Sequence, residues 1–318
     1  MPKTLLVAAD VDRSLLERAR ADDRFAVVHQ PVRTEDELAA IIGDAEVLVT
    51  RAYNRVTRRV LEAAPRLELI AQGTSGIDNI DADAARERGV TIVNLPGANA
   101  NAVAELVIGF ILAMTRTVPF YTREVSQGQF ERDDCATRHE MRHHHLGIVG
   151  LGQVGKRVAR LACVFGMHVR AFDPYIDEFG VAERVDSLAA LLAASDVLTL
   201  HVPLTNETRK MIGANEIASL KRGSYLINAS RGEVLDQNAA LRALEEGQLA
   251  GLALDVFDPE PPAGGFPDDP RLILTPHVAG CSFECKADIG ALLYEKIVAF
   301  YAGGGTPPGQ PARTPAFR

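Results

Sequence analysis

The stretch that decides the fold is Leu146-Gly-Ile-Val-Gly-Leu-Gly-Gln-Val-Gly155. Its first four residues predict a short buried strand, and the amphipathic segment Gln153–Phe165 predicts a helix. Between them, Gly150, Gly152 and Gly155 form a G-x-G-x-x-G pattern. In this setting the glycines permit a tight turn, let backbone N–H groups approach a pyrophosphate and let the helix pack closely on the strand. The stretch therefore predicts a dinucleotide-binding strand–turn–helix unit.

An acidic residue follows at the distance that this fingerprint requires. Asp173 stands 18 residues past Gly155, at the end of the next predicted strand, Val169–Phe172. A carboxylate there can accept hydrogen bonds from both ribose hydroxyls. It also repels a 2′-phosphate, and Pro174–Asp177 contains no cation to hold one. The sequence therefore predicts NAD as the cofactor, against the alternative of an ordinary turn in which Asp173 only caps a loop.

Short apolar runs alternate with helical patterns along almost the whole chain, which is typical of parallel sheets covered by helices. Predicted strands in the first part are Thr4–Ala9, Phe25–His29, Val47–Thr50, Leu67–Ala71 and Val90–Val93, with helices at Arg13–Arg20, Glu35–Ile42, Thr57–Ala63 and Ala82–Arg88. Those in the second part are Leu146–Val149, Val169–Phe172, Val197–Leu200, Tyr225–Asn228, Leu252–Ala253 and Leu272–Leu274, with helices between them. The fold class is therefore predicted to be α/β.

Three further segments interrupt or follow the alternation. Asn99–Thr115 predicts a long helix that is apolar on most of its circumference and is therefore buried between layers. A polar stretch, Thr122–His145, separates the first alternation from the second. A last helix is expected from about Ser282 to Tyr301, followed by a loose Pro/Gly-rich arm, Thr306–Arg318.

Composition and charge limit the class of protein. The 318 residues predict about two domains, and 47% hydrophobic with 24% charged residues is ordinary for a globular chain. Mean hydropathy is +0.01, and no apolar run reaches the roughly 18 residues of a membrane span. The net charge of −8 repels a phosphate backbone. Neither a membrane nor a nucleic acid is expected as a partner.

The N-terminus and the potential metal ligands point to a cytoplasmic protein without a metal site. The apolar stretch within Met1–Asp10 is too short for the hydrophobic region of a signal peptide. It predicts a first strand instead. The triplet His143–His145 predicts a polar turn, because adjacent side chains on a strand point to opposite faces and cannot form one compact site. The cysteines lack the paired spacing of zinc ligands and are expected to be reduced; they are Cys135, Cys163, Cys281 and Cys285.

Three polar residues follow predicted strands at the edge where α/β sheets bind ligands. Arg231 contributes to this edge a guanidinium that is always charged and can bind a carboxylate through two parallel hydrogen bonds. His277 is the natural proton donor near neutral pH, and Glu260 can accept a hydrogen bond from it and favour the imidazolium. Taken singly, each residue also fits a plain alternative: a surface salt bridge, a loop histidine or a solvated acid.

With these residues in this order, the chain resembles the NAD-dependent D-isomer-specific 2-hydroxyacid dehydrogenases. It is nearest to the phosphoglycerate dehydrogenase and hydroxypyruvate/glyoxylate reductase branches. The resemblance extends over essentially the whole chain. It rests on the order of these motifs: Gln72-Gly-Thr-Ser-Gly-Ile-Asp-Asn-Ile-Asp81, Asn99 to Glu105, the fingerprint, His201-Val-Pro-Leu-Thr205, Asn228-Ala-Ser-Arg-Gly232, Asp255-Val-Phe-Asp-Pro-Glu260 and Thr275-Pro-His-Val-Ala-Gly280.

The resemblance implies roles for individual residues. Arg231 is expected to bind the substrate, His277 to be the general acid/base and Glu260 to be its partner, while Asp255 is expected to bind the nicotinamide carboxamide. The implied cofactor contacts are Ser75, Gly150, Gly152, Gln153, Val154, Gly155, Asp173, Val202, Pro203, Ala229, Ser230, Arg231, Asp255, His277, Ala279 and Gly280. The implied substrate contacts are Arg51, Gly73, Thr74, Ser75, Gly76, Arg231 and His277.

The resemblance also implies an organisation for the chain. Two Rossmann-like, doubly wound parallel-sheet domains are expected, with the active-site cleft between them. Residues 1–98 with 283–318 are the expected substrate domain, and 99–282 the expected NAD-binding domain. A homodimer is expected to form through the Asn99–Thr115 helix and the polar segment after it.

Two questions stay open at the level of sequence. In the phosphoglycerate branch an Arg-Ser-x-Thr segment with extra basic residues binds the phosphate, whereas this chain has Arg51-Ala-Tyr-Asn-Arg55. The identity of the keto acid is therefore open among phosphoglycerate, glycerate/hydroxypyruvate and glyoxylate types. Some relatives on this fold are NAD-sensing corepressors, so a binding protein is the alternative to an enzyme.

Overall fold

The computed structural model describes residues 1–132 and 138–303. Cys135 and the predicted arm Thr306–Arg318 lie outside these ranges. Within them the chain forms two compact units, one made of Met1–Asn99 with the residues from Cys281 onward and the other of Ala100–Gly280.

The elements before residue 100 are β1 (Lys3–Val7), α1 (Arg13–Arg20), β2 (Phe25–His29), α2 (Glu35–Ile41), β3 (Val47–Thr50), α3 (Arg58–Glu62), β4 (Leu69–Gln72), α4 (Ala82–Glu87) and β5 (Thr91–Val93). Those of the second unit are α5 (Ala100–Thr115), α6 (Val118–Ser126), β6 (His145–Val149), α7 (Gln153–Val164), β7 (His168–Phe172), β8 (Glu183–Arg184), α8 (Leu188–Ala194), β9 (Val197–Leu200), α9 (Ala214–Ala218), β10 (Ser224–Asn228), α10 (Gln237–Glu245), β11 (Leu249–Leu254) and β12 (Leu272–Leu274). The last described helix is α11 (Phe283–Tyr301).

Each unit is built on one parallel sheet. The first sheet has the order β2-β1-β3-β4-β5, and the second has the order β12-β11-β10-β9-β6-β7-β8. Every residue of β3, β4, β9 and β10 is buried, as expected for parallel strands covered by helices on both faces. The carboxyl ends of β6, β7, β9, β10, β11 and β12 therefore lie at one edge of the second sheet. The predicted α/β class with two parallel sheets is confirmed.

The helix predicted from the apolar run Asn99–Thr115 is present as α5. Its buried positions include Val103, Val107 and Ile111, and they contribute to the same core cluster as β6 and α7. The opposite face of α5 is exposed at positions four residues apart, namely Asn101, Glu105 and Gly109. No single helix in the described ranges is long and apolar enough to cross a membrane; α5 and α6 satisfy length and composition only as a pair bent by 60°.

The polar stretch Thr122–His145, in which the sequence placed no element, begins inside a helix. Helix α6 extends to Ser126 and begins after Thr117, whose φ of 50° turns the chain sharply out of α5. Pro119 stands in its first turn, where a missing N–H costs nothing. The two-residue strand β8 was also not predicted, and β11 begins three residues earlier than the predicted Leu252.

Candidate active site

The three fingerprint glycines lie between β6 and α7 in the arrangement that a pyrophosphate requires. Gly150 has a φ of 88°, and a Cβ there would lie 2.7 Å from the carbonyl oxygen of His201. A Cβ on Gly155 would lie 2.3 Å from the oxygen of Gly150, so only glycine fits either position. At Gly152, the N-cap of α7, a Cβ would meet nothing within 4 Å. Open space in front of a helix N-terminus fits the phosphates of a dinucleotide.

Asp173, directly after β7, is hydrogen-bonded to the same glycine turn. Its Oδ2 accepts from the backbone N–H of Leu151 at 2.8 Å, and its Oδ1 accepts from that of Tyr175 at 3.0 Å. Each carboxylate oxygen can accept a second hydrogen bond. The orientation of Asp173 is thus fixed by backbone donors while acceptor capacity remains for ribose hydroxyls.

The turn after β10 is organised around Asn228, a residue whose role the sequence did not reveal. Its Oδ1 accepts from both the N–H and the hydroxyl of Ser230, and its Nδ2 donates to the carbonyl of Arg231. A Cβ on the next residue, Gly232, would lie 1.8 Å from the oxygen of Phe257, so the backbone passes too close for any side chain. Arg231 therefore leaves a turn of fixed shape at the ligand-binding edge of the sheet.

His277 and Glu260 form a direct pair. His277 Nδ1 lies 2.5 Å from Glu260 Oε1, and the two side chains remain 37% and 40% exposed. Burial by itself raises the pKa of Glu260, but the hydrogen bond and charge of His277 outweigh it and hold the pKa below its usual value. Glu260 is therefore a carboxylate at neutral pH. The predicted partners are adjacent, and with Nδ1 engaged the other ring nitrogen, Nε2, is the one left for a substrate.

Asp255, at the end of β11, holds the loop that carries His277. Its side chain is fully buried and accepts from the hydroxyl of Thr275 at 2.5 Å and from the N–H groups of Val278 and Ala279 at 2.9 Å each. Its own carbonyl accepts from the N–H of His277 at 2.8 Å. These bonds maintain His277 at a φ of 55°, a strained conformation for this residue. The side-chain bonds that the structure shows are thus to the loop; the nicotinamide contact implied for Asp255 stays a prediction.

His201, the other histidine that follows a strand at this edge, has a different character. Its Nε2 lies 3.0 Å from the hydroxyl of Thr199. Burial of the ring lowers its pKa to about 3, so the imidazole is neutral at physiological pH and is not a proton donor there. It precedes Val202 and Pro203, of which the first is buried and the second exposed.

Because His201 is buried as a neutral imidazole, we expect the second unit to lose stability at acidic pH. An unfolded chain binds a proton on this residue near pH 6.5, whereas the folded chain does not until about pH 3. The free energy of unfolding is therefore expected to fall as the pH drops below 6.5, by about 2 kcal/mol at pH 5 from this residue alone. Urea denaturation at pH 7.5 and pH 5 measures the difference.

The variant His201→Gln should reduce that difference by about 2 kcal/mol. His29→Gln, a change at an exposed histidine of the first unit, serves as the control and should leave it as in the parent. An unchanged pH dependence in His201→Gln would show that His201 is not responsible.

The loop after β4 in the first unit presents a row of backbone donors. The hydroxyl of Ser75 donates to the carbonyl of Leu95 and to Asn99 Oδ1, and the carbonyl of Ser75 accepts from the side chain of Asn94. In the part of the chain that the structure describes, the N–H groups of residues 74–76 have no acceptor. A Cβ on Gly73 would lie 3.1 Å from Cδ of Arg51, so the stem of that arginine lies against the loop. Such donors beside a guanidinium suit a carboxylate.

The segment that departs from the phosphoglycerate pattern has a largely structural role. Asn54 is buried, accepts from the N–H of Arg51 and donates to the carbonyls of Ala8 and Val32. It thus ties together the loops that follow the first three strands, whereas Arg55 is exposed.

Tyr53 lies in the segment where the phosphoglycerate branch has basic residues, and it contributes a hydroxyl and an aromatic ring instead. Its hydroxyl oxygen accepts from the N–H of Asp10 at 2.8 Å, and the guanidinium of Arg33 lies 4.1 Å above its ring. Arg33 is in turn ion-paired with the carboxylate of Asp10. The nearby cation is therefore already neutralised by a carboxylate.

The histidine triplet and two of the described cysteines, Cys281 and Cys285, occupy different parts of the fold. His143 ends a 3-10 turn, and His145 begins β6. No group of three or more His, Cys, Asp or Glu side chains suited to a metal ion occurs among the described residues. Cys285 is buried with its Sγ 3.9 Å from the carbonyl oxygen of Ala98, and Cys281 is exposed.

The second parallel-sheet unit bears a glycine fingerprint followed by an acid, with an Arg, Glu and His set at the same sheet edge. This combination is typical of dinucleotide-binding proteins. Residues 108–279 match the family model described as "D-isomer specific 2-hydroxyacid dehydrogenase, NAD binding domain". The chain belongs to the D-isomer-specific 2-hydroxyacid dehydrogenase family, as its sequence motifs predicted.

Individual relatives agree with this family. The chain is 39% identical over 274 residues to D-3-phosphoglycerate dehydrogenase of Methanocaldococcus jannaschii, covering 83% of this chain and 51% of that one. It is 36% identical to hydroxypyruvate reductase of Thermotoga maritima, covering 83% of this chain and 87% of that one. The solved TT0316 protein of Thermus thermophilus superposes with a TM-score of 0.89 at 30% identity, covering 96% of this chain and 98% of that one. The chain thus spans about half the length of the archaeal phosphoglycerate dehydrogenase.

Proposed function

We propose that the protein is an NAD(H)-dependent oxidoreductase that interconverts a small 2-keto acid and its D-2-hydroxy acid. The observation that carries this proposal is the His277–Glu260 pair at the same sheet edge as the glycine fingerprint. A proton donor next to a bound nicotinamide is what reduction of a carbonyl requires.

The proposed roles follow from the geometry of each residue. When bound, a reduced nicotinamide would supply the hydride that the carbonyl carbon needs. His277 holds a proton on Nε2 and transfers it to the carbonyl oxygen, while Glu260 at Nδ1 stabilises the imidazolium before transfer. Arg231 binds the carboxylate of the substrate and polarises its carbonyl. Hydride plus proton converts the keto acid into the hydroxy acid, and the reverse reaction returns the proton to His277.

The two units have distinct proposed tasks. The second unit binds the cofactor through the implied contacts that surround Gly152 and Asp173, whose open space and acceptor capacity fit pyrophosphate and ribose. The first unit is the proposed substrate domain, because the N–H groups of residues 74–76 form a row of donors that suits a carboxylate. We propose 1–98 with 283–318 and 99–282 as these two functional domains.

The neutralised cation near Tyr53 favours an unphosphorylated substrate. A phosphate carries a charge of roughly −1.5 to −2 and needs unpaired arginine or lysine. Arg33 is paired with Asp10, Asn54 is used for structure, and Arg55 is the exposed cation that remains at the end of this segment. Among the acids considered, hydroxypyruvate and glyoxylate therefore fit better than the phosphorylated acid.

The test is a panel of glyoxylate, hydroxypyruvate, pyruvate and phosphohydroxypyruvate, with NADH consumption followed by absorbance. We expect turnover of hydroxypyruvate or glyoxylate to exceed that of the phosphorylated acid. Binding of NADH without oxidation by any of the four would contradict the proposal and indicate an NAD-sensing binding protein instead.

Cofactor choice is predicted from Asp173. The parent protein should prefer NADH to NADPH by about 100-fold in kcat/KM, because two charge-assisted ribose bonds are replaced by repulsion of a 2′-phosphate. Asp173→Ala combined with Pro174→Arg should narrow the gap by at least tenfold. Equal kcat/KM for the two cofactors in the parent protein would exclude Asp173 as the determinant.

We further propose a homodimer formed through α5 and α6. Val118 and Val125, one heptad apart on α6, are 51% and 55% exposed, and Phe120 is 39% exposed. Such apolar side chains on one short helix favour burial against a second copy. Light scattering should give about 69 kDa, twice 34.3 kDa, and Val118→Glu with Val125→Glu should shift the mass toward the monomer. A monomeric parent at micromolar concentration would refute the assembly.

A further inference from the structure

A second carboxylate lies near Asp173 at the ligand-binding edge of the second unit. The hydroxyl of Tyr175 donates to Oε2 of Glu207 at 3.4 Å, across 32 residues of sequence. The backbone N–H of the same tyrosine donates to Asp173 at 3.0 Å. Tyr175 thus connects the acid that follows β7 with an acid in the loop that follows β9.

The loop that carries Glu207 is closed by its own side chains. Thr205 Oγ1 accepts from the N–H groups of Glu207 and Thr208 at 3.2 Å each. The hydroxyl of Thr208, which is fully buried, donates to the carbonyl of Pro203 at 2.6 Å. These local bonds fix the backbone at Glu207, so its carboxylate is presented from a defined position.

Asp173 and Glu207 both influence the hydroxyl of Tyr175, and neither carboxylate is ion-paired in the described ranges. Burial, the charge of Glu207 and the charge of Asp173 all raise the pKa of the Tyr175 hydroxyl, which therefore stays protonated as a donor. Within residues 1–132 and 138–303, neither Asp173 nor Glu207 forms an ion pair. The carboxyl edge beyond β7 and β9 therefore carries two carboxylates that form no ion pair within the described residues.

We propose that Glu207, positioned by Tyr175, is a second determinant of cofactor choice that disfavours a dinucleotide with a 2′-phosphate. This inference rests on the proposed function, because it assumes that the adenosine end of the cofactor lies beside Asp173. Asp173 discriminates by bonding the ribose hydroxyls of NAD(H). Glu207 acts by charge alone, so its removal affects the cofactor with the additional 2′-phosphate more than it affects NAD(H).

The experiment measures dissociation constants of NADH and NADPH by fluorescence in the full-length protein. Glu207→Gln should tighten NADPH binding about threefold to tenfold and leave NADH within twofold, and the gain should shrink as salt is raised to about 0.5 M. Tyr175→Phe keeps the ring but releases the carboxylate, and should give a smaller gain. Glu178→Gln, the same loss of charge at an exposed position of the same segment, is the matched control and should change neither constant.

Weak NADPH binding by the parent does not block the test, because the change can be repeated in the Asp173→Ala, Pro174→Arg protein, which is expected to bind NADPH. An unchanged NADPH constant in Glu207→Gln, or an equal gain in Glu178→Gln, would overturn the inference. Failure of the parent to bind NADH would instead overturn the proposed function. The two failures are therefore distinguishable.

Discussion

Substitution of His277 by alanine is expected to lower kcat for keto-acid reduction by about 10²- to 10⁴-fold, the contribution of a well-placed acid/base group. The structure holds this histidine 2.5 Å from Glu260, with its backbone N–H bonded to the carbonyl of Asp255. Loss of the ring removes the proton donor and leaves the glycine fingerprint untouched. The NADH dissociation constant should therefore stay within about threefold of the parent value, which fluorescence titration measures.

Glu260→Gln separates tuning of the histidine from proton transfer itself. The amide keeps a hydrogen-bond partner at Nδ1 but removes the negative charge that stabilises the imidazolium. The falling limb of the reduction rate against pH should then move to lower pH, while much of the rate survives under acidic conditions. Near-parent reduction by His277→Ala, or an unmoved pH profile in Glu260→Gln, would show that these roles are assigned wrongly.

The strand–turn–helix unit around the glycine fingerprint was predictable because its information is local. Gly150, Gly152 and Gly155 occur at spacings that only a tight turn explains, and Asp173 follows at the end of the adjacent strand. The alternation of strands and helices likewise fixed the α/β class. The pairing of His277 with Glu260 was inferred from their positions after strands and from family resemblance, and the structure brings the two atoms together.

What sequence reasoning missed depends on contacts between segments far apart in the chain. Asn228 looks like the last residue of a strand, but its side chain shapes the turn that carries Arg231. Asp255 follows a strand in the manner of a ligand-binding acid, yet its oxygens bind the loop of His277. Glu207 is bonded to Tyr175 across 32 residues, and no spacing rule relates such partners. Only the folded chain shows these bonds.

The second large effect is expected at Arg231, where lysine should be a poor replacement despite its equal charge. A guanidinium presents a planar fork of donors to a carboxylate, whereas an ammonium offers a single compact charge on a flexible stem. Here the fork is pre-oriented: the carbonyl of Arg231 is held by Asn228, its Nη1 donates to the carbonyl of Ser230 at 2.7 Å, and Gly232 fixes the backbone beside it. Lysine loses both the fork and the orientation.

Arg231→Lys should therefore lower kcat/KM for the keto acid by about 100-fold, with KM raised and kcat reduced together, since the same group binds the ground state and polarises the reacting carbonyl. NADH binding should remain near the parent value. Arg242→Lys, a change at an exposed arginine of α10, is the matched control and should leave all three constants unchanged. A rise in KM with kcat preserved would assign Arg231 to substrate binding alone and remove it from the chemical step.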